Sequence, residues 1–333
     1  MDCLCGKMAT MLFDSHGRRI EYLRLSVTDR CDLRCTYCMP ESFQGYEESA
    51  NWLTFDEIER VVGAFARLGV QKIRLTGGEP LLRRNLPDMV ARLSSLPGIT
   101  DLSLSSNGTQ LAKHAQALRA AGVARLNISL DTLDPARFAA ITRRDALGDV
   151  LHGLSTAREA GFGPIKINMV VMAGVNDDEI DAMAAYCIEQ RFVLRLIEAM
   201  PVGETGRKAA FVALGPIRDR LRVRFGLIDG VVPGGGPARY LVSPDGLCQI
   251  GFITPMSQHF CDTCNRLRLS VDGTLYLCLG QDDKVALRPL LRAGCSDEAL
   301  ELALLDGVRR KPFKHEFCEQ PGQVVRFMSS TGG

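Results

Sequence analysis

Three cysteines fall within eight residues, as Cys31-x3-Cys35-x2-Cys38. On one tight loop they supply three thiolates, which match three corners of a four-iron cluster and leave one iron without a protein ligand. An iron open in this way can be chelated by the amino and carboxylate groups of S-adenosylmethionine and pass an electron to the sulfonium, giving a deoxyadenosyl radical. Zinc is the competing occupant. It normally takes four ligands, and only Asp29 and Asp32 stand close by in sequence.

A second set, Cys261-Asp262-Thr263-Cys264 with Cys278 downstream, is ambiguous by itself. It fits a structural zinc completed by His259, Cys248 or Cys295. Arg266 and Arg268, directly behind the pair, suit instead a surface that binds an anion or a base. Of the other cysteines, Cys187, Cys248, Cys295 and Cys318 are isolated and read as structural, while Cys3 and Cys5 sit in a terminal segment expected to be mobile.

These residues need a scaffold, and the chain supplies one. Short β-rich runs at 22–28, 70–76, 99–104, 124–130, 164–171 and 192–198 alternate with helix-compatible segments, which predicts a parallel sheet wrapped by helices. Thr54 and Glu57 form a capping box ahead of Ile58, Val61, Val62 and Phe65, and Gly69 ends that helix; Gly122 ends another. Six units are too few to close an eight-unit barrel. The expected fold is α/β: an open, six-stranded parallel β/α barrel over residues 1–206, with a C-terminal iron–sulfur domain over 207–333 closing the open side. The rhythm breaks at 204–207, and Pro233-Gly234-Gly235-Gly236-Pro237 marks a loop in the second domain.

The unusual residues gather where such folds build sites. The cysteine loop, Gly77-Gly78-Glu79-Pro80, Ser105-Ser106-Asn107-Gly108, Ser129 with Asp131, and Met200 all follow strand carboxyl ends. Alternation along the strands puts Arg24, Arg74 and Lys166 on the face opposite Leu23, Leu25, Ile73, Leu75, Ile165 and Ile167, hence inside the barrel. Buried cations need partners. A polyphosphate would serve, and so would pairing with Glu79, Asp131 or Glu198.

Length and composition bound the rest. The 333 residues carry 40 basic and 39 acidic side chains, so no global charge steers the chain to nucleic acid or an anionic membrane. Neither a leader at Met1-Asp2-Cys3-Leu4 nor a long apolar run is legible, which predicts a cytoplasmic protein. The basic run at 309–311 reads as a solvated face.

The CxxxCxxC loop with Tyr37 between its last two cysteines, followed by GGEP, resembles the radical S-adenosylmethionine superfamily. Across the chain, YLRLSVTDRCDLRCTYCMPE at 22–41, IRLTGGEPLLR at 73–83, NISLDTLD at 127–134, CDTCNRLRLSVDG at 261–273 and the terminal Gly332-Gly333 resemble the family of GTP cyclases that open molybdenum cofactor biosynthesis. The resemblance implies two [4Fe-4S] clusters, on Cys31, Cys35 and Cys38 and on Cys261, Cys264 and Cys278. It implies that Tyr37, Gly78, Ser129 and Met200 hold S-adenosylmethionine, and that Arg24, Arg74, Ser105 and Lys166 hold GTP. Arg266, Leu267 and Arg268 would line the guanine pocket, with Arg266, Arg268, Gly332 and Gly333 serving catalysis. The implied reaction removes hydrogen from the 3′ carbon of ribose and closes the sugar onto carbon 8 of guanine. Its product passes to a cyclic pyranopterin monophosphate synthase, and the enzyme is a monomer or homodimer. Two rival readings are a radical enzyme acting on a peptide or another nucleotide, and a non-catalytic zinc-binding module.

Overall fold

A computed structural model describes residues 11–232 and 236–332. Cys3, Cys5, Gly333 and the first three residues of the 233–237 loop lie outside them. The six expected strands are present, five of them trimmed by one or two residues and the third shifted two residues along the chain: β1 (Tyr22–Ser26), β2 (Lys72–Thr76), β3 (Asp101–Ser106), β4 (Arg125–Ser129), β5 (Lys166–Val171) and β6 (Val193–Glu198). They pair in parallel in chain order, as short right-handed crossovers through helices require. The helix Phe55–Arg67 starts on the Thr54–Glu57 capping box, with both reciprocal bonds formed. Gly69 and Gly122, at φ +89° and +111°, terminate the first and third helices in the conformation that glycine alone adopts without cost.

Six strands come from the C-terminal third: β7 (Ile228–Gly230), β8 (Arg239–Val242), β9 (Gln249–Ile253), β10 (Arg266–Leu269), β11 (Thr274–Tyr276) and β12 (Lys284–Ala286). They do not stack as a separate layer. β9 adds in parallel to β6 and β10 adds in parallel to β1, so both edges of the six-stranded sheet are extended and a twelve-stranded sheet results. The antiparallel pairs β8–β7 and β11–β12 finish the two ends. The chain between β9 and β10 carries Cys261 and Cys264 from one edge to the other.

One face of the sheet packs on the helices. Leu23, Leu25, Ile73, Leu75, Ile167, Met169 and Leu267 belong to one apolar core that extends into the C-terminal strands. The alternation therefore holds across the join. Of the isolated cysteines, Cys187 and Cys248 are buried and Cys295 is half-buried, but Cys318 is exposed and contributes to no core. Among the described residues no helix is long and apolar enough to cross a membrane.

Candidate functional site

The register brings Arg74, Arg24 and Arg268 side by side on three neighbouring strands. Like charges directly opposite one another destabilise a sheet. Burial and the neighbouring Arg268 and Arg74 hold Arg24 well below the usual arginine range, and burial with Arg266 and Arg326 pulls Arg268 down to about 9. Lys166 is lowered to about 8, by burial first and then by Arg195, Arg125 and Arg74. The carboxylates that could have neutralised the row are engaged elsewhere. Glu79 accepts from the amides of Leu81 and Asn107 and the hydroxyl of Ser106, at 3.0, 2.6 and 2.8 Å. Asp131 accepts from the Tyr37 hydroxyl at 2.7 Å and the Val170 amide at 2.8 Å. Glu198 takes the amides of Met256 and Ser257, both at 3.0 Å, and so ties the loop after β9 to β6. Among the described residues no ion pair joins any of the three to Arg24 or Arg74, which turns the balance towards an anionic ligand.

Two adjoining cavities open onto this row. One of about 380 Å³ is lined by Arg74, Arg125, Lys166, Arg195, Arg218 and Arg239 among others. The second, about 160 Å³, is lined by Arg24, Arg74, Arg195, Arg266 and Arg268 together with all three of Cys261, Cys264 and Cys278. Arg74 and Arg195 belong to both, so a cationic cradle runs continuously into a thiol-lined pocket. Several buried polar atoms lining these cavities lack protein partners: Arg24 Nε, Arg195 Nε, Tyr22 Oη and Asn168 Oδ1; Ser105 Oγ on β3, outside both cavities, lacks one as well. Unmatched buried donors and acceptors are costly and signal a ligand. Arg195 escaped the sequence reading, although its alternation with Leu194 and Leu196 on β6 was the available signal. It is 3% exposed and donates to Asn127 Oδ1.

The first cysteine loop lies at the carboxyl end of β1. Burial pushes all three of its thiols up, Cys38 to about 11. Asn107 donates to Cys31 Sγ at 3.8 Å and to Asp32 at 2.8 Å, fastening the loop to the end of β3. Gly77 and Gly78 press on the chain after β1: a Cβ at Gly78 would meet the Arg30 carbonyl oxygen at 2.3 Å. Burial raises Glu79 to about 7 and Asp131 to about 6.

At the second set, burial pushes the Cys264 thiol up, but Lys311, Arg266 and Arg18 together outweigh it and bring the group to about 7. Lys311 corrects the reading of its basic run as solvated. Arg309 and Arg310 are exposed, but Lys311 is 2% exposed and donates to the carbonyls of Arg266 and Leu277. Arg18, paired with Asp14 at 2.6 Å, donates to the Cys261, Phe313 and Pro312 carbonyls. Gly280 is closely packed: a Cβ there would lie 2.6 Å from that of His315, so the neighbouring side chains would have to move. A single metal ion draws its ligands to about 2.3 Å. Among the described residues no three His, Cys, Asp or Glu side chains converge for one ion. Within each set the thiols lie near enough to raise one another's pKa.

Of the other expected site residues, Met200 lines the smaller cavity, whereas Tyr37, Gly78, Ser105 and Ser129 line neither. Leu267 turns its side chain into the apolar core, so only its backbone is left to meet a ligand. The C-terminal tail is not frayed as far as it is described. Ser329 and Thr331 are buried, and the Thr331 and Gly332 carbonyls accept from Arg268. Gly332 has φ +75°, and a Cβ there would meet Thr76 Cγ2 at 2.1 Å, so the position requires glycine on two grounds. Gly333 lies outside the described residues.

Residues 25–187 match the Radical SAM superfamily, and residues 192–317 match Molybdenum Cofactor Synthesis C. The chain is 48% identical over 327 residues to GTP 3′,8-cyclase of Ectopseudomonas mendocina, covering 97% of this chain and 98% of the relative. It is 47% identical to GTP 3′,8-cyclase 1 of Pseudomonas aeruginosa (96% and 98% covered) and 46% identical to the Paracoccus denitrificans enzyme (97% and 96%). Among solved structures, Streptococcus suis SuiB bound to S-adenosylmethionine shares the fold, with TM-score 0.61 at 16% identity, covering 93% of this chain and 73% of that one.

Proposed function

The chain belongs to the GTP 3′,8-cyclase family, and from that premise we propose that it cyclises GTP to (8S)-3′,8-cyclo-7,8-dihydroguanosine 5′-triphosphate, the first step of molybdenum cofactor biosynthesis. Cys31, Cys35 and Cys38 hold one [4Fe-4S] cluster, and Cys261, Cys264 and Cys278 hold the other. S-adenosylmethionine, bound at the first cluster, supplies a deoxyadenosyl radical able to take hydrogen from an unactivated carbon. Tyr37, Gly78, Ser129 and Met200 bind that cofactor, with the Tyr37–Asp131 bond fixing the ring of Tyr37.

The observation that carries the reading is the row Arg74–Arg24–Arg268 with Lys166 and Arg195 beside it. These cations take the triphosphate, Ser105 adds a hydroxyl, and Arg266, the Leu267 backbone and Arg268 receive the base against the second cysteine set. Arg266 and Arg268 also orient the nucleotide for reaction, together with the Gly332-Gly333 tail. Enclosure of ribose between tail and sheet excludes water and positions one carbon, which is where rate is gained. Residues 1–206 form the half that makes the radical, and residues 207–333 the half that presents the nucleotide. The product is handed to a cyclic pyranopterin monophosphate synthase.

Anaerobic turnover with GTP, S-adenosylmethionine and a reductant, followed by product identification, tests this. A cyclised nucleotide formed together with deoxyadenosine is expected. Cleavage of S-adenosylmethionine that is indifferent to GTP would point to a different substrate.

A further inference from the structure

Arg326 lies outside every role given above. Its Nη2 donates to three carbonyl oxygens on the loop that carries the third thiol of the second set: Cys278 at 3.1 Å, Leu279 at 2.6 Å and Gln281 at 2.8 Å. Nη1 pairs with Asp282 at 3.2 Å, and the guanidinium stacks 4.4 Å from the Tyr276 ring centre. It lines neither of the two lumen cavities. The chain after it then crosses to the first site. Phe327 packs edge-on to Phe43 at 5.1 Å and against Gly203, where a Cβ would meet it at 2.8 Å. The Ser329 amide donates to the Cys38 sulfur, and Arg268 holds the Thr331 and Gly332 carbonyls. Four residues, Arg326 to Ser329, thus join the loop of one thiol set to a thiol of the other.

We propose that Arg326 is a positioning residue: by gripping the carbonyls of the Cys278 loop it sets how far the C-terminal tail enters the lumen, so the second cysteine site places the tail that lies over the first. Three carbonyls gathered on one turn repel one another unless a cation with several donors sits among them. Arginine's planar fork serves; a lysine ammonium, a point charge, cannot reproduce its directions. The consequence for product formation rests on the cyclase reading above, whereas the consequence for tail placement does not.

The test uses the cluster-loaded enzyme and its Arg326→Ala and Arg326→Lys variants. Hydrogen exchange over residues 328–332, measured by mass spectrometry without substrate, reads tail placement. In Arg326→Ala exchange should accelerate at least tenfold with iron content unchanged. Deoxyadenosine should form at the wild-type rate, while cyclised product per deoxyadenosine falls at least tenfold and KM for GTP holds. Arg326→Lys should restore less than half of the protection. Unchanged exchange in the Ala variant overturns the proposal. So does a raised KM with an unchanged product ratio, which would make Arg326 a substrate ligand. Should the Ala variant lose iron, Asp282→Asn removes only the ion pair and should still speed exchange several-fold; no change there also overturns it. If the wild-type enzyme makes no cyclised product, the cyclase reading fails by itself and the exchange result still stands.

Discussion

The two cysteine sets offer the same three ligands in opposite electrostatic surroundings. Around the first, burial, Glu79, Asp32 and Asp131 all push the thiols up, and the Ser329 amide and backbone bonds at Cys31 and Cys35 supply the opposing pull. Around the second, Lys311, Arg266 and Arg18 surround Cys264 and bring it to about 7, although Cys261 remains raised by burial. The first set becomes thiolate only as metal arrives, whereas in the second one thiol, Cys264, is prepared for negative charge beforehand. That difference is what the proposed division of work asks for. A site that hands on an electron can be sealed among carboxylates, but a site beside a polyanionic nucleotide needs standing positive charge.

The sharpest way to break the comparison is to remove one thiol from each set. Cys35→Ala should abolish deoxyadenosine formation, by roughly a thousandfold or more, because two thiolates hold a cluster poorly. Cys264→Ala should keep deoxyadenosine and lose the cyclised product, as chromatography of both would show. Equal behaviour of the two variants would erase the division of work. Next in size, Lys166→Ala should weaken GTP roughly ten- to a hundredfold, since a charge-assisted bond contributes about 1.5–3 kcal/mol, while guanosine binding barely changes in calorimetry. The pH dependence has a definite sign. With Lys166 lowered to about 8, its positive form fades as pH rises through 8, so GTP affinity should fall there and fall less in Lys166→Arg.

A smaller effect sharpens the electrostatic contrast directly. In metal-free enzyme, Cys264 should reach half its maximal alkylation rate near pH 7, and Lys311→Met should move that midpoint up by roughly one unit. Cys31 and Cys35 should stay unreactive until far more alkaline pH. Smallest is Gly280→Ala. Its Cβ would press on His315 and on the Phe317 ring, which can shift, so the cost should be about 1–3 kcal/mol by denaturant melting. Gly78→Ala, directed at the fixed Arg30 carbonyl, should cost more.

Period-two alternation and turn residues made the six N-terminal strands and the inward cations legible, because both follow from local stereochemistry. The capping box at Thr54 and Glu57 was legible for the same reason. Arg195 alternates with Leu194 and Leu196 as the other inward cations do with their neighbours, but a single arginine in a short apolar run is a weaker signal than the repeated pattern on β1 and β2. Lys311 was misread because a run of basic residues records composition, while its burial arises from contacts with Arg266 and Leu277, far away in sequence. The edge additions of β9 and β10 were invisible on similar grounds. Strands of four or five residues do not name their partners.

Pairing across the join also sets a timetable for synthesis. Tyr22 in β1 has its outer partner in Arg266, on the order of 240 residues further along. At about 5–20 residues per second, β1 waits on the order of 10–50 s on the ribosome with one row of backbone donors and acceptors uncovered. An edge left open for that long invites pairing with another nascent chain. Yield of intact protein should therefore depend on growth temperature and chaperone supply, through an interval that ends only when β10 emerges.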